Sequence, residues 1–208
     1  MKVLTAAVAS ARLQKFERSH GMRRSSKWPK KPYTRTGDRG ETGLLFGGRI
    51  SKADLAPSAY GACDEACAAL GLVRSFNSDP GLELVLKKLQ RHLFVVGAEL
   101  ACAPENRDKL VPGVTAVDDA MVTYVEELID GVLEHVEPPR AFVLPGQNTL
   151  SAMLDLARTV IRRAEREVVA LYNSGWIQND ALLAYMNRLG DLVYVLARWK
   201  EQSDYERL

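Results

Sequence analysis

The stretch Leu150 to Leu171, LSAMLDLARTVIRRAEREVVAL, constrains this chain more than any other. Leu150, Leu154, Ala157, Ile161, Ala164, Val168 and Leu171 recur at steps of four and three, the spacing of an α-helix buried along one side. Asp155, Arg158, Arg162 and Glu165 recur at the same steps, so they form a second row about 100° round the helix from the seam. A charged row beside a core seam belongs where a bundle helix meets its neighbours. Arg158, Arg162, Arg163 and Arg166 repel one another unless carboxylates or a polyanion lie between them, and the planar guanidinium fork suits phosphate oxygens. Two readings stand at this point: a solvated face laced with ion pairs, or a site for a phosphate-rich ligand.

A chain of 208 residues is long enough for one good core and short for two. The net charge of +2 hides an asymmetry. Residues 1–31 carry nine Lys or Arg against the single acid Glu17, so the remaining chain is mildly acidic. That segment lacks the apolar run of a secretory signal and reads as a basic, solvated N-terminal extension, with Met22 as an alternative start. It resembles a mitochondrial presequence only weakly. No later stretch approaches the roughly eighteen apolar residues of a membrane span, and a cytoplasmic location is expected, or the mitochondrial matrix in a eukaryote. Cys63, Cys67 and Cys102 lie in helical patterns and are odd in number, which argues for buried thiols in a reducing compartment rather than a disulfide framework. His20, His92 and His135 show no ligand spacing to them, so no protein-held metal is expected.

From Tyr33 to Lys52 the sequence YTRTGDRGETGLLFGGRISK breaks both helical and strand periods with five glycines. Such a loop lets backbone N–H groups approach a ligand closely, while Thr34, Thr36 and Thr42 add hydroxyls and Lys52 a point charge. It lacks the GxxxxGK[ST] pattern of a P-loop. Pro57 suits the first turn of a helix reaching about Arg74, whose inner face is Ala, Gly and Cys. Asp64 and Glu65 on that helix either meet a cation or face solvent. A second seam runs through Leu82, Val85, Leu89, Leu93, Val96 and Leu100. After a polar loop, Thr115 with Asp118 resembles a helix cap, and Met121, Val125, Leu128, Val132 and Val136 follow. Phe142, Val143 and Leu144 stand in the connector before the arginine helix, and exposed apolar connectors often cover a ligand or partner. Leu182, Met186, Leu189, Val193 and Leu196 form the last seam. Five helix-period seams and no strand alternation predict an all-α five-helix bundle over 32–208.

Four pieces together resemble the cob(I)alamin adenosyltransferases of the propanediol-utilisation type: TRTGDRGETGLLFGGRISK, AYGACDE, FVLPG followed by ARTVIRRAER, and YMNRLGDLVYVLAR. The likeness spans Tyr33 to Arg198. It implies a homotrimeric five-helix bundle that binds ATP between adjacent subunits. It also implies transfer of the 5′-deoxyadenosyl group of ATP to the cobalt of cobalamin, releasing triphosphate. The resemblance places Thr34, Arg35, Thr36, Gly37, Thr42, Gly43, Lys52, Arg162, Arg163, Ala164, Glu165, Arg166 and Asn187 around the ATP. It makes Asp64 and Arg158 a pair across a subunit boundary. Phe142 becomes the ring that crowds the lower face of the corrin, so that Arg162, Phe142, Asp64 and Arg158 form the catalytic set. Mg²⁺ is expected on the ATP phosphates rather than on protein side chains. Gln147 and Asp155 depart from the residues usual in the family, a glycine and a histidine.

The implied partners are further copies of the chain, ATP and a corrinoid, with a flavoprotein reductant and an adenosylcobalamin-dependent enzyme as candidates. Nucleic acid and membrane are not among them. Attack of cobalt(I) on C5′ releases no proton, so the lack of a His, Ser or Cys catalytic set fits this chemistry. The alternative is a non-catalytic carrier or sensor that binds ATP or cobalamin.

Overall fold

The computed structural model describes residues 31 and 33–202. The expectations placed on the basic extension, including Met22, fall outside them except at Lys31. Five α-helices make up the body: α1 Leu55–Ser75, α2 Pro80–Leu100, α3 Asp119–Leu133, α4 Thr149–Asn173 and α5 Asp180–Glu201. The helix α1 packs on both α2 and α4, α4 on α5, and α5 on α3. The expected seams are buried apart from Leu128 and Leu150, which are partly buried against the core. Leu154, Ala157, Ile161, Ala164, Val168 and Leu171 on α4 are at most 1% exposed, and each large aliphatic among them contributes about 1.5–3 kcal/mol by leaving water. On α1 the buried face is Ala56, Ala59, Ala62, Cys63, Ala66, Cys67, Leu70 and Val73, small enough for α4 to approach closely.

Side-chain caps fix where the helices begin. Asp79 accepts hydrogen bonds from the amides of Gly81 and Leu82 at the start of α2, and Asn179 accepts from Ala181 at the start of α5. Asn148 and Ser151 form a reciprocal capping box on α4, and the Asn148 amide also donates to the Lys200 carbonyl, tying the head of α4 to the tail of α5. At α3 the cap is Asp118 alone, accepting from Met121. The Thr115 hydroxyl instead accepts from the amide of Val111 and closes the preceding turn, which corrects the expected pairing of the two. The polar loop before it contains a 3-10 helix, Pro104–Lys109.

The expectation of a chain without strands is also corrected. Inside the glycine-rich segment, β1 Glu41–Gly43 and β2 Arg49–Ser51 pair antiparallel, with Thr42 opposite Ile50. Three-residue strands are too short to show alternation, and the loop between them is made by positive φ at Phe46, Gly47 and Gly48. The amide of Leu45 donates to the Ala101 carbonyl at 2.9 Å, so this hairpin is anchored at the end of α2.

Candidate functional site

The glycine-rich segment is a folded unit rather than a free loop. Lys52 follows β2 directly, and its amide donates to the Gly40 carbonyl at 2.8 Å. A Cβ added at Gly37 would lie 3.0 Å from Lys52 Nζ and 3.2 Å from the Glu41 carbonyl oxygen, so a side chain there would crowd the ammonium and the strand backbone. Arg49 reaches back to the Thr36 carbonyl at 2.6 Å and to Glu41 at 3.1 Å. The hydroxyls of Thr34 and Thr36 share a hydrogen bond of 2.8 Å. Arg35 takes a left-handed φ of 61° and sets its guanidinium over the Tyr33 ring. Thr42 and Gly43 lie in β1. Hydroxyls, backbone and an ammonium thus share one exposed unit, a set of donors suited to phosphate oxygens.

The second set is on α4 and α5. Arg162 stands 3.6 Å from Glu165, and the Asn187 amide donates to the same carboxylate at 3.1 Å. Ala164 is fully buried beside them, which turns its neighbours outward. Arg166 donates to the Arg162 carbonyl at 3.0 Å. Arg163 leaves this group: it pairs with Glu65 on α1, and that hydrogen bond holds the guanidinium above its ordinary value. Arg162 stays half exposed, a cation only loosely paired and open to an anion. Among the described residues, no hydrogen bond or ion pair joins this row to Thr34, Arg35, Thr36, Gly37, Thr42, Gly43 or Lys52.

One turn towards the start of α4 lies a cleft of about 530 Å³. Its outer wall is the connector Pro139–Pro145, and its inner wall carries Asp155, Arg158, Tyr194 and Arg198. Phe142 overhangs it and is 83% exposed, an unusual state for a phenyl ring, left uncovered by the described residues. Asp64 lines a different groove between α1 and α2, with Tyr60, Cys63, Cys67 and Phe94. It is exposed and forms no hydrogen bond or ion pair among the described residues. Burial pushes the Cys63 thiol up to about 12, and it raises Cys67 with help from the charge of Asp64, so both remain protonated packing groups.

Of the inner wall of that cleft, sequence reasoning named Arg158 and missed Tyr194 and Arg198. Arg198 is 1% exposed and binds Asp155 and Glu201. Helical spacing showed Asp155 and Arg198 on their own helices, but a partner 43 residues away leaves no periodic trace. A buried-side position for each, adjoining the seam, was the only available signal. Among the described residues there is no group of three His, Cys, Asp or Glu able to hold a metal. No described helix is long and apolar enough to cross a membrane.

A family model for cobalamin adenosyltransferases matches residues 32–200. The chain is 38% identical over 171 residues to a corrinoid adenosyltransferase of Citrobacter freundii, covering 82% of this chain and 95% of that protein. It is 37% identical over 172 residues to a corrinoid adenosyltransferase of Bacillus subtilis, covering 81% and 85%. A solved structure of a phenylalanine-to-alanine variant of the PduO-type ATP:corrinoid adenosyltransferase from Lactobacillus reuteri, complexed with cobalamin and ATP, matches with a TM-score of 0.76 and 30% identity. That match covers 86% of this chain and 98% of the other.

Proposed function

The chain belongs to the cobalamin adenosyltransferase family, and from that premise we propose that it transfers the 5′-deoxyadenosyl group of ATP to the cobalt of reduced cobalamin. The observation that carries the reading is the exposed Phe142 over a roomy cleft one helical turn from the Arg162, Glu165 and Asn187 cluster. An apolar ring with nothing to cover suits the flat face of a corrin, and a half-free guanidinium suits a triphosphate.

The reaction forms a Co–C5′ bond with the electron pair of cobalt(I) while the C5′–O bond breaks and triphosphate leaves. No proton moves, so no residue need act as a general base. The protein's part is placement and charge. Arg162 and Arg166, with Lys52, neutralise the departing triphosphate, and Glu165 with Asn187 holds Arg162 in direction. Phe142 fills the space below the corrin, keeping out water and the lower ligand so that cobalt(II) stays four-coordinate and easier for an external reductant to convert. Mg²⁺ would arrive on the triphosphate as part of the substrate, and no step here passes through it.

Among the described residues, the loop donors and the arginine row share no direct bond, and Asp64 is exposed without a hydrogen bond or ion pair. Both facts support a homotrimer in which one copy's loop and Asp64 meet another copy's α4. A non-catalytic carrier or sensor would bind both substrates without turnover, and the intact Arg162, Glu165 and Asn187 set favours the enzyme. Incubation with cob(II)alamin, a reductant and ATP should give the absorbance spectrum of adenosylcobalamin, dependent on ATP. Binding of both substrates with no spectral change would leave only the carrier.

A further inference from the structure

The cluster of Arg162, Glu165 and Asn187 continues further than the reaction above uses. Asn187 is bonded at both ends of its amide: Nδ2 donates to Glu165 Oε1 at 3.1 Å, and Oδ1 accepts from Arg188 Nη1 at 2.8 Å. Arg188 Nε in turn donates to Glu126 Oε1 on α3 at 3.1 Å. The other oxygen of Glu165, Oε2, faces Arg162 Nη1 at 3.6 Å. An unbroken line of contacts therefore runs from Glu126 through Arg188, Asn187 and Glu165 to Arg162, crossing from α3 over α5 to α4.

A side-chain amide has two ends of nearly equal shape and opposite polarity, so its direction is set only by what it meets. A carboxylate stands at one end of Asn187 and a guanidinium at the other. Reversed, the amide would turn its oxygen to Glu165 and its N–H groups to Arg188, setting like against like at both contacts. In the direction observed, Asn187 keeps one N–H and one lone pair for a ligand. The Glu126–Arg188 pair does little for the fold itself, because its side chains are 47% and 41% exposed and half-solvated pairs add little stability.

Resting on the function proposed above, we propose that Arg188 is a positioning residue for ATP: held by Glu126, it fixes the amide of Asn187, and through that amide the Glu165 carboxylate that aims Arg162 at the triphosphate. Arg188 does this without touching the substrate. Its planar fork suits the task, because Nε and Nη1 reach Glu126 and Asn187 at once and in fixed relation, which an ammonium on a flexible stem does not reproduce. The helix α3, which carries none of the residues assigned to ATP, thereby helps to order the nucleotide site.

The test is calorimetric titration with ATP, which needs no turnover. Arg188→Leu should weaken ATP binding about fivefold, the scale of one lost hydrogen bond, with corrinoid affinity and melting temperature unchanged. Glu126→Ala leaves Arg188 in place without its anchor and should weaken ATP binding by less. The decisive comparison is a double-variant cycle: once Asn187→Ala has removed the amide, adding Arg188→Leu should cost nothing further. Unchanged ATP affinity in Arg188→Leu overturns the assignment. So does the same loss persisting in the Asn187→Ala background, since Arg188 would then act on the ligand directly or through the fold. A wild type that binds no ATP removes the functional reading and this role with it, whereas normal wild-type binding beside an unaltered Arg188→Leu removes only the role of Arg188.

Discussion

Asn187 donates its side-chain amide to Glu165 at 3.1 Å, binding α5 to α4 at the one place where Arg162 meets the same carboxylate from the other side. The carboxylate is shared between a neutral donor and a cation, so it orients Arg162 without consuming its charge. Arg162 is the residue through which the triphosphate should be felt most. Arg162→Ala should lower turnover by about 2–4 kcal/mol in transition-state terms, the usual loss for one preorganised donor. Arg162→Lys should recover little, since a point charge does not reproduce the fork. Steady-state rates at saturating corrinoid check this, and wild-type turnover in both variants would remove Arg162 from the phosphate site.

The proposed trimer makes a prediction about Asp64. It is exposed in the single chain and lines a groove with Phe94, which is 70% exposed. Sedimentation at micromolar concentration should show a trimer, and Asp64→Ala should shift it towards smaller species on dilution while leaving helicity intact, because the exposed side chain makes no hydrogen bond or ion pair among the described residues of its own subunit. A fully active monomer would contradict the arrangement.

Much of this was legible before any coordinates. The seams on α2, α4 and α5 follow from spacing alone, since burial on one side of a helix leaves a period of 3.6 in the sequence. The hairpin Glu41–Ser51 was not legible, because strands of three residues among glycines carry no alternation and are fixed by the turn and by the Leu45 anchor to Ala101. Thr115 was misread because a threonine three residues before an aspartate satisfies a capping pattern equally well when it closes a turn. Among the candidate site residues, Arg162, Glu165 and Asn187 lie together, whereas Arg163 turns to Glu65 and Asp155 to Arg198. Sequence reports which face a charge is on; it does not report which distant helix supplies the partner.

Phe142 offers a test of the lower-face role. At 83% exposure its ring contributes little to the core, so Phe142→Ala should leave the melting temperature nearly unchanged. If the ring excludes water or a base from cobalt, turnover with cobalt(II) substrate should fall far more than ATP affinity, and supplying pre-reduced cobalt(I) should recover much of the rate, since only alignment then remains. Equal losses with both substrates would show that Phe142 merely orders the connector.

His92 predicts the acid side of the stability profile. It is 5% exposed at the meeting of α2, α3 and α5, with ring centroids 5.5 Å from both Tyr124 and Tyr185, and its Nδ1 is buried without a hydrogen-bond partner. Burial first, and the nearby Lys88 charge second, lower its pKa to about 3 from an ordinary 6.5. Tyr124 and Tyr185 are pushed upward by the same burial, so neither supplies a compensating negative charge near neutrality. The fold thus keeps the imidazole neutral while the unfolded chain accepts a proton. Its contribution is fully present above pH 6.5 and is lost as pH falls from 6.5 towards 3, by up to about 1.4 kcal/mol per pH unit. His92→Phe removes the titrating group and suits the edge-to-face ring geometry. Melting curves from pH 7 to pH 4 should therefore fall less steeply for this variant than for the wild type, the carboxylates contributing equally to both. Parallel slopes would show that His92 becomes protonated in the folded state at no cost.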